Sequence, residues 1–116
     1  MLHGEGFGVC RVAGSGSTPL PSPDLVAGKE GRSCAIECKS GKGRRYISEE
    51  QINELKEFSI RFGSEAWVAV RFDNLGWYFM QPENLQRSGV DNFVVYPELV
   101  KTKGVDFENF IKWKEQ

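Results

Sequence analysis

Short apolar runs broken by glycine, serine and charged turns dominate this chain, and one segment departs from them with a spacing of three to four. Phe7-Gly8-Val9-Cys10-Arg11-Val12 predicts a first strand. Leu25, Val26 and Ala27, ending at Gly28, predict a second. Lys29-Glu30-Gly31-Arg32 reads as a tight turn, and Ser33 to Ser40 as the partner strand of a hairpin. Strand side chains alternate, so Glu37 and Lys39 share one face while Cys34, Ile36 and Cys38 point the other way, into a core. Ser48-Glu49-Glu50-Gln51 is a capping box, with two glutamates in the first turn to suit the helix dipole. Ile52, Leu55, Phe58 or Ser59, and Phe62 then recur at helical spacing up to Gly63. Ala66 to Phe72 and Trp77 to Met80 predict a second hairpin about Asp73-Asn74-Leu75-Gly76. Its aromatic rings are expected in a core or a dimer surface rather than as a base-stacking platform. Further on come a turn or short helix at Pro82 to Leu85, a turn at Gly89 to Asn92 and a strand at Phe93 to Tyr96. Thr102-Lys103-Gly104 reads as a loop, and Asp106 to Lys114 as a terminal helix.

Length and composition narrow the class. A chain of 116 residues suits one domain, spanning 1–116, with a modest core. The formal net charge of −1 gives no global basic signal, so a nucleic-acid partner would have to be met by basic residues confined to one face. Three cysteines without zinc-like spacing suggest reduced thiols in an intracellular, cytoplasmic protein. There is no apolar run of membrane-spanning length and no signal-peptide pattern at the start. His3 is the sole histidine, which leaves no histidine-based triad. Ala13 to Ser22, rich in glycine, serine and proline, is a loop. Gly14-x-Gly16 lacks the third glycine of a dinucleotide fingerprint, and no Walker lysine follows.

The candidate chemistry lies at the mouth of the first hairpin. Asp24 precedes the second strand, and Glu37 and Lys39 sit on its partner. Two carboxylates are hard oxygen ligands of the kind magnesium prefers, and a lysine beside them could stabilise developing negative charge or help activate a water. A strand with one wet face also carries Glu and Lys for no other reason than solvation, so the pair alone decides nothing. Gly41-Lys42-Gly43-Arg44-Arg45-Tyr46 is the main basic cluster and adjoins Lys39, a combination that fits a phosphodiester substrate. Gln51 has two available roles, closing the helix cap or reaching the site from the helix start.

The order Pro23-Asp24, a short hairpin, then Glu37-Cys38-Lys39 is similar to the PD-(D/E)xK nuclease pattern. With Gly6-Phe7-Gly8-Val9-Cys10-Arg11-Val12, the Ala13-Gly14-Ser15-Gly16-Ser17 loop, Pro21 to Gly28, the helix around Glu50-Gln51, and Ser59 to Val70, the chain resembles the archaeal Holliday-junction resolvases of the Hjc type over roughly its first two thirds. The resemblance implies an α/β, restriction-endonuclease-like fold, a mixed central sheet flanked by helices. It implies a homodimeric, magnesium-dependent endonuclease, with manganese as the plausible substitute, that binds four-way junction DNA by shape and serves recombination and repair near the nucleoid. Carried over by position, Asp24 and Glu37 become metal ligands, Lys39 assists the water or the transition state, and Ser15 belongs to a mobile catalytic loop. Arg11, Ser17, Lys42, Arg44 and Arg45 become candidate DNA contacts, with Gln51 as site support. The family pattern also has a helix bearing a metal-ligand glutamate ahead of the Gly-Phe. Here Gly6-Phe7 follows Met1 closely, Glu5 does not occupy the matching place, and that glutamate is expected to be missing. Two further readings therefore stand beside the resolvase: a non-catalytic junction-binding dimer, and a nuclease of the same superfamily with another DNA substrate.

Overall fold

A computed structural model describes residues 1–12, 20 and 22–114 of the chain. Its six-stranded sheet has the order β1 (Gly8–Arg11), β2 (Leu25–Lys29), β3 (Arg32–Lys39), β5 (Glu65–Phe72), β6 (Gly76–Met80) and β9 (Val105–Asp106). β2 and β3 form the expected hairpin. Lys29 pairs with Arg32, and Glu30 and Gly31 both take positive φ, 47° and 85°, the geometry of a two-residue turn that matches strand twist. Every neighbouring pair in this sheet is antiparallel except β3 and β5. A parallel pair needs a crossover. Here it consists of β4 (Arg45–Ser48) and α1 (Glu49–Phe62), which packs on β3, β4 and β5.

The helix begins and ends where its sequence says it should. The Ser48 side chain accepts from the Gln51 N–H, the Gln51 side chain accepts from the Ser48 N–H, and Gly63 closes the other end in a left-handed conformation. Its inner stripe is Ile52, Leu55 and Ser59. Phe62, expected on that stripe, is 56% exposed and stacks on Phe58 instead.

Alternation along the central strands divides the core in two. Ala35, Val68, Val70 and Phe72 face α1 and a three-stranded sheet of β4, β8 (Asn92–Val95) and β7 (Gln86–Arg87), together with α2 (Pro97–Lys103). Cys34, Ile36, Trp67, Ala69 and Phe79 face the other way, onto Phe7 and Phe110 of α3 (Phe107–Ile111). Trp67 meets Phe110 edge-on at 5.1 Å, and Phe79 stacks on Phe110 at 3.8 Å. These rings thus belong to the core, where burial of large aromatic area stabilises most. The small sheet and α2 were not legible as such. Arg45–Ser48 is a strand rather than part of a basic loop, Thr102 and Lys103 end α2, and the terminal helix is shorter than Asp106 to Lys114, with Asp106 as its N-cap. Among the described residues no helix is long and apolar enough to cross a membrane.

Candidate active site

The β2–β3 register builds the site. The ladder ends with Leu25 opposite Ile36, and Asp24, just before it, donates its N–H to the Ile36 carbonyl at 3.1 Å, one residue out of register. Alternation along β3 puts Glu37 and Lys39 with Ala35 on the side of the sheet that α1 covers, and the Asp24 side chain reaches Glu37 there from the start of β2. Asp24 is held firmly: its Oδ2 accepts from the Cys38 N–H at 2.8 Å, and its own carbonyl accepts from the Val12 N–H at 2.9 Å. Lys39 Nζ donates to Gln51 Oε1 at 3.2 Å.

The electrostatics show two acids in conflict. The Glu37 carboxyl is pushed up from 4.5 to about 7, first by burial and then by the Asp24 charge, with Lys39 working in the opposite direction. Asp24 and Glu37 are within hydrogen-bonding reach of each other, and Glu54 on α1 adds a weaker push. Two neighbouring carboxylates cannot both ionise without cost unless a cation stands between them. The donor set, two hard oxygens beside a lysine, fits magnesium or manganese. Among the described residues no group of three or more His, Cys, Asp or Glu is placed to hold a metal ion. Two side-chain ligands still suit magnesium, which keeps several waters. The Cys38 thiol, between Glu37 and Lys39 in sequence but on the other strand face, is no nucleophile, since burial and then the Asp24 charge push it to about 11.

The remaining expectations separate by exposure. Arg11 is exposed at the end of β1 and lines an apolar groove with Leu25, Ile36 and Cys38, on the sheet face opposite Glu37 and Lys39. Lys42 and Arg44 are exposed beyond β3, and the Arg44 guanidinium lies 4.6 Å from the centre of the Tyr96 ring. Arg45 differs from the reading as a DNA contact. It is only 5% exposed, its guanidinium donates to the carbonyls of Gly41, Gly43 and Arg71, and it lies over Phe72. A buried guanidinium whose terminal nitrogens are taken by backbone carbonyls is a clasp for the loop, not a hand offered to phosphate. Ser15 and Ser17 lie outside the described residues. Glu54 was missed by the sequence reading, although it stands three residues after Gln51 on the same helical face.

Comparison with known proteins gives the family. A family model described as "Archaeal holliday junction resolvase (hjc)" matches residues 1–116. The crossover junction endodeoxyribonuclease Hjc of Archaeoglobus fulgidus is 40% identical over 88 residues, covering 75% of this chain and 65% of the relative, so the chain spans about two thirds of that protein's length. The enzyme of the same name from Methanocaldococcus jannaschii is 38% identical over 112 residues, covering 96% of this chain and 78% of the relative. The crystal structure of Archaeoglobus fulgidus Hjc, described as a Holliday junction resolvase from an archaeal hyperthermophile, superposes with a TM-score of 0.86 at 33% identity, over 95% of this chain and 90% of that one. Taken with the mixed sheet and the carboxylate pair at the mouth of the β2–β3 hairpin, these matches mean that the chain belongs to the archaeal Holliday junction resolvase family, Hjc.

Proposed function

We propose that this chain is a structure-selective DNA endonuclease that resolves four-way junctions by metal-dependent hydrolysis of phosphodiesters, with magnesium as the working ion and manganese as its substitute. The observation that carries the reading is the Asp24–Glu37 pair, held in mutual reach beside Lys39 in a chain of the resolvase family. A divalent cation, when bound by Asp24 and Glu37, would supply Lewis-acid charge and lower the pKa of a coordinated water. The chain's own groups do the rest. The Cys38 N–H fixes the Asp24 carboxylate. Lys39 brings a positive charge to the phosphoryl oxygens as charge develops on them. Lys42 and Arg44, exposed next to the site, offset phosphate charge along the strand, and Arg11 does so from the opposite face. A two-fold dimer would carry two such sites, one for each strand that must be cut. Such work on chromosomal DNA belongs in the cytoplasm, at the nucleoid.

The test is cleavage of a synthetic four-way junction beside a linear duplex of the same sequence, with and without magnesium. Paired, magnesium-dependent cuts at the junction are expected. Asp24→Asn should lose them, by about a thousandfold or more, while binding the junction as tightly as before. Cutting by that variant at the parent rate would overturn the mechanism. Tight binding with no cutting by the parent would favour the junction-binding dimer, a reading that draws on the presence of only two clustered acidic ligands among the described residues.

A further inference from the structure

Lys39 is the last residue of β3, and its charge rides on a long flexible stem at the edge of an exposed loop. A lysine in that setting samples many positions unless something restrains it. One group does. Gln51 Oε1 accepts two hydrogen bonds, each 3.2 Å long: one from Lys39 Nζ and one from the Ser48 N–H. The Gln51 N–H in turn donates to Ser48 Oγ at 3.1 Å. The amide oxygen is thus pinned by the cap of α1, and the cap is pinned by a helix that packs on β3 itself.

We infer that Gln51 is a positioning residue for Lys39, using the capping box of α1 as its anchor and an uncharged acceptor as its means. This rests on the endonuclease reading above and specifies how its lysine is aimed. The choice of amide matters. Glutamine and glutamate close a capping box equally well. A glutamate here would draw the ammonium into an ion pair and take from it the charge a phosphate needs. The glutamine oxygen orients the same ammonium and leaves its charge available. A purely structural role for residue 51 has no preference between the two.

Three variants separate the possibilities in single-turnover cutting of a four-way junction at saturating protein. Gln51→Glu should keep the melting temperature and the junction affinity of the parent and cut about tenfold more slowly. Gln51→Ala should also cut about tenfold more slowly and lose melting temperature with the cap. Ser48→Ala loses the cap hydroxyl without touching the Lys39 contact, and so measures what helix destabilisation alone does to the rate. Cutting by Gln51→Glu at the parent rate, or by Gln51→Ala no slower than Ser48→Ala, overturns the inference. Should the parent itself fail to cut, the endonuclease reading falls. A crystal structure of Gln51→Ala then still decides this point: a displaced Lys39 ammonium supports positioning, and an ammonium in its present place overturns it.

Discussion

Strand β3 begins and ends in charge, and the protein treats its two ends in opposite ways. At the head, Arg32 is fully matched. Its Nε donates to Glu65 Oε2 at 2.9 Å and its Nη2 to Glu65 Oε1 at 3.0 Å, while Nη1 donates to the Phe110 carbonyl at 2.6 Å. The guanidinium also lies 4.5 Å from the centre of the Phe110 ring, and Glu65 accepts from Trp67 Nε1 at 2.8 Å. At the tail, Asp24 and Glu37 face each other with like charge, partly relieved by Lys39. The head is charge used to fasten α3 to the sheet. The tail is charge kept in conflict. Ion pairs that serve structure are satisfied internally, whereas groups that serve chemistry are left to be completed from outside.

Three experiments sharpen that contrast. The largest effect belongs to the head. Arg32→Ala would leave Glu65 and the Phe110 carbonyl without their partner, at a cost of about 3–5 kcal/mol in denaturant unfolding. Loss of less than about 1 kcal/mol would mean that the matched pair is not structural.

The tail should respond to pH in the reverse sense from an ordinary carboxylate. Glu37 binds its proton more tightly in the folded chain, at about 7 against 4.5. Its contribution to stability is therefore complete below 4.5 and is lost as pH rises through about 7. Without metal, urea melts should show a fall on the order of 1–2 kcal/mol between about pH 5 and about pH 8, after solvent screening is allowed for. Asp24→Asn removes the charge that follows burial among the causes, so its fall should be shallower. Added magnesium should flatten the parent's curve at the alkaline end by binding the folded form. An equal slope in parent and variant would show that the two acids are not coupled.

The smallest effect lies outside both ends. Lys42→Ala should weaken junction binding severalfold and lower the salt slope by about one, with little change in melting temperature. A wholly unchanged salt dependence would remove Lys42 from the DNA face.

How much of this was legible in the sequence follows from how local each feature is. Alternation along β3 puts Glu37 and Lys39 on one face, and the hairpin puts Asp24 at its mouth, without further information. The Ser48–Gln51 box and Gly63 delimit α1 because caps are local chemistry. What escaped depends on distant parts of the chain. β4 and β7 are four and two residues long and carry too little alternation to announce themselves, although their partner β8 matches the strand expected at Phe93 to Tyr96. α2 starts with Pro97 at its first turn and has no side-chain cap bond, which hides its beginning. Arg45 looked like one more exposed base in a basic run, because arginine is seldom buried. The available hint was its alternation with Ile47, and the flanking Gly41 and Gly43, whose positive φ values of 125° and 66° let the loop wrap its carbonyls around the guanidinium. Gln51 could be named as able to close the cap or reach the site, but that it does both, meeting Lys39, depends on the crossover closing over β3.

The turn at Glu30 and Gly31 lies at the opposite end of the hairpin from the chemistry, the sort of corner where surface chains ordinarily admit an extra residue. In this fold its length is fixed from afar. One added residue that slipped the Leu25–Ile36 register would swing Glu37 and Lys39 toward Trp67 and Phe110, and bring Cys38 out in their stead. Descent can therefore rewrite the letters of that corner but not their number, and a gap there in any future alignment would mark a chain that has abandoned this site.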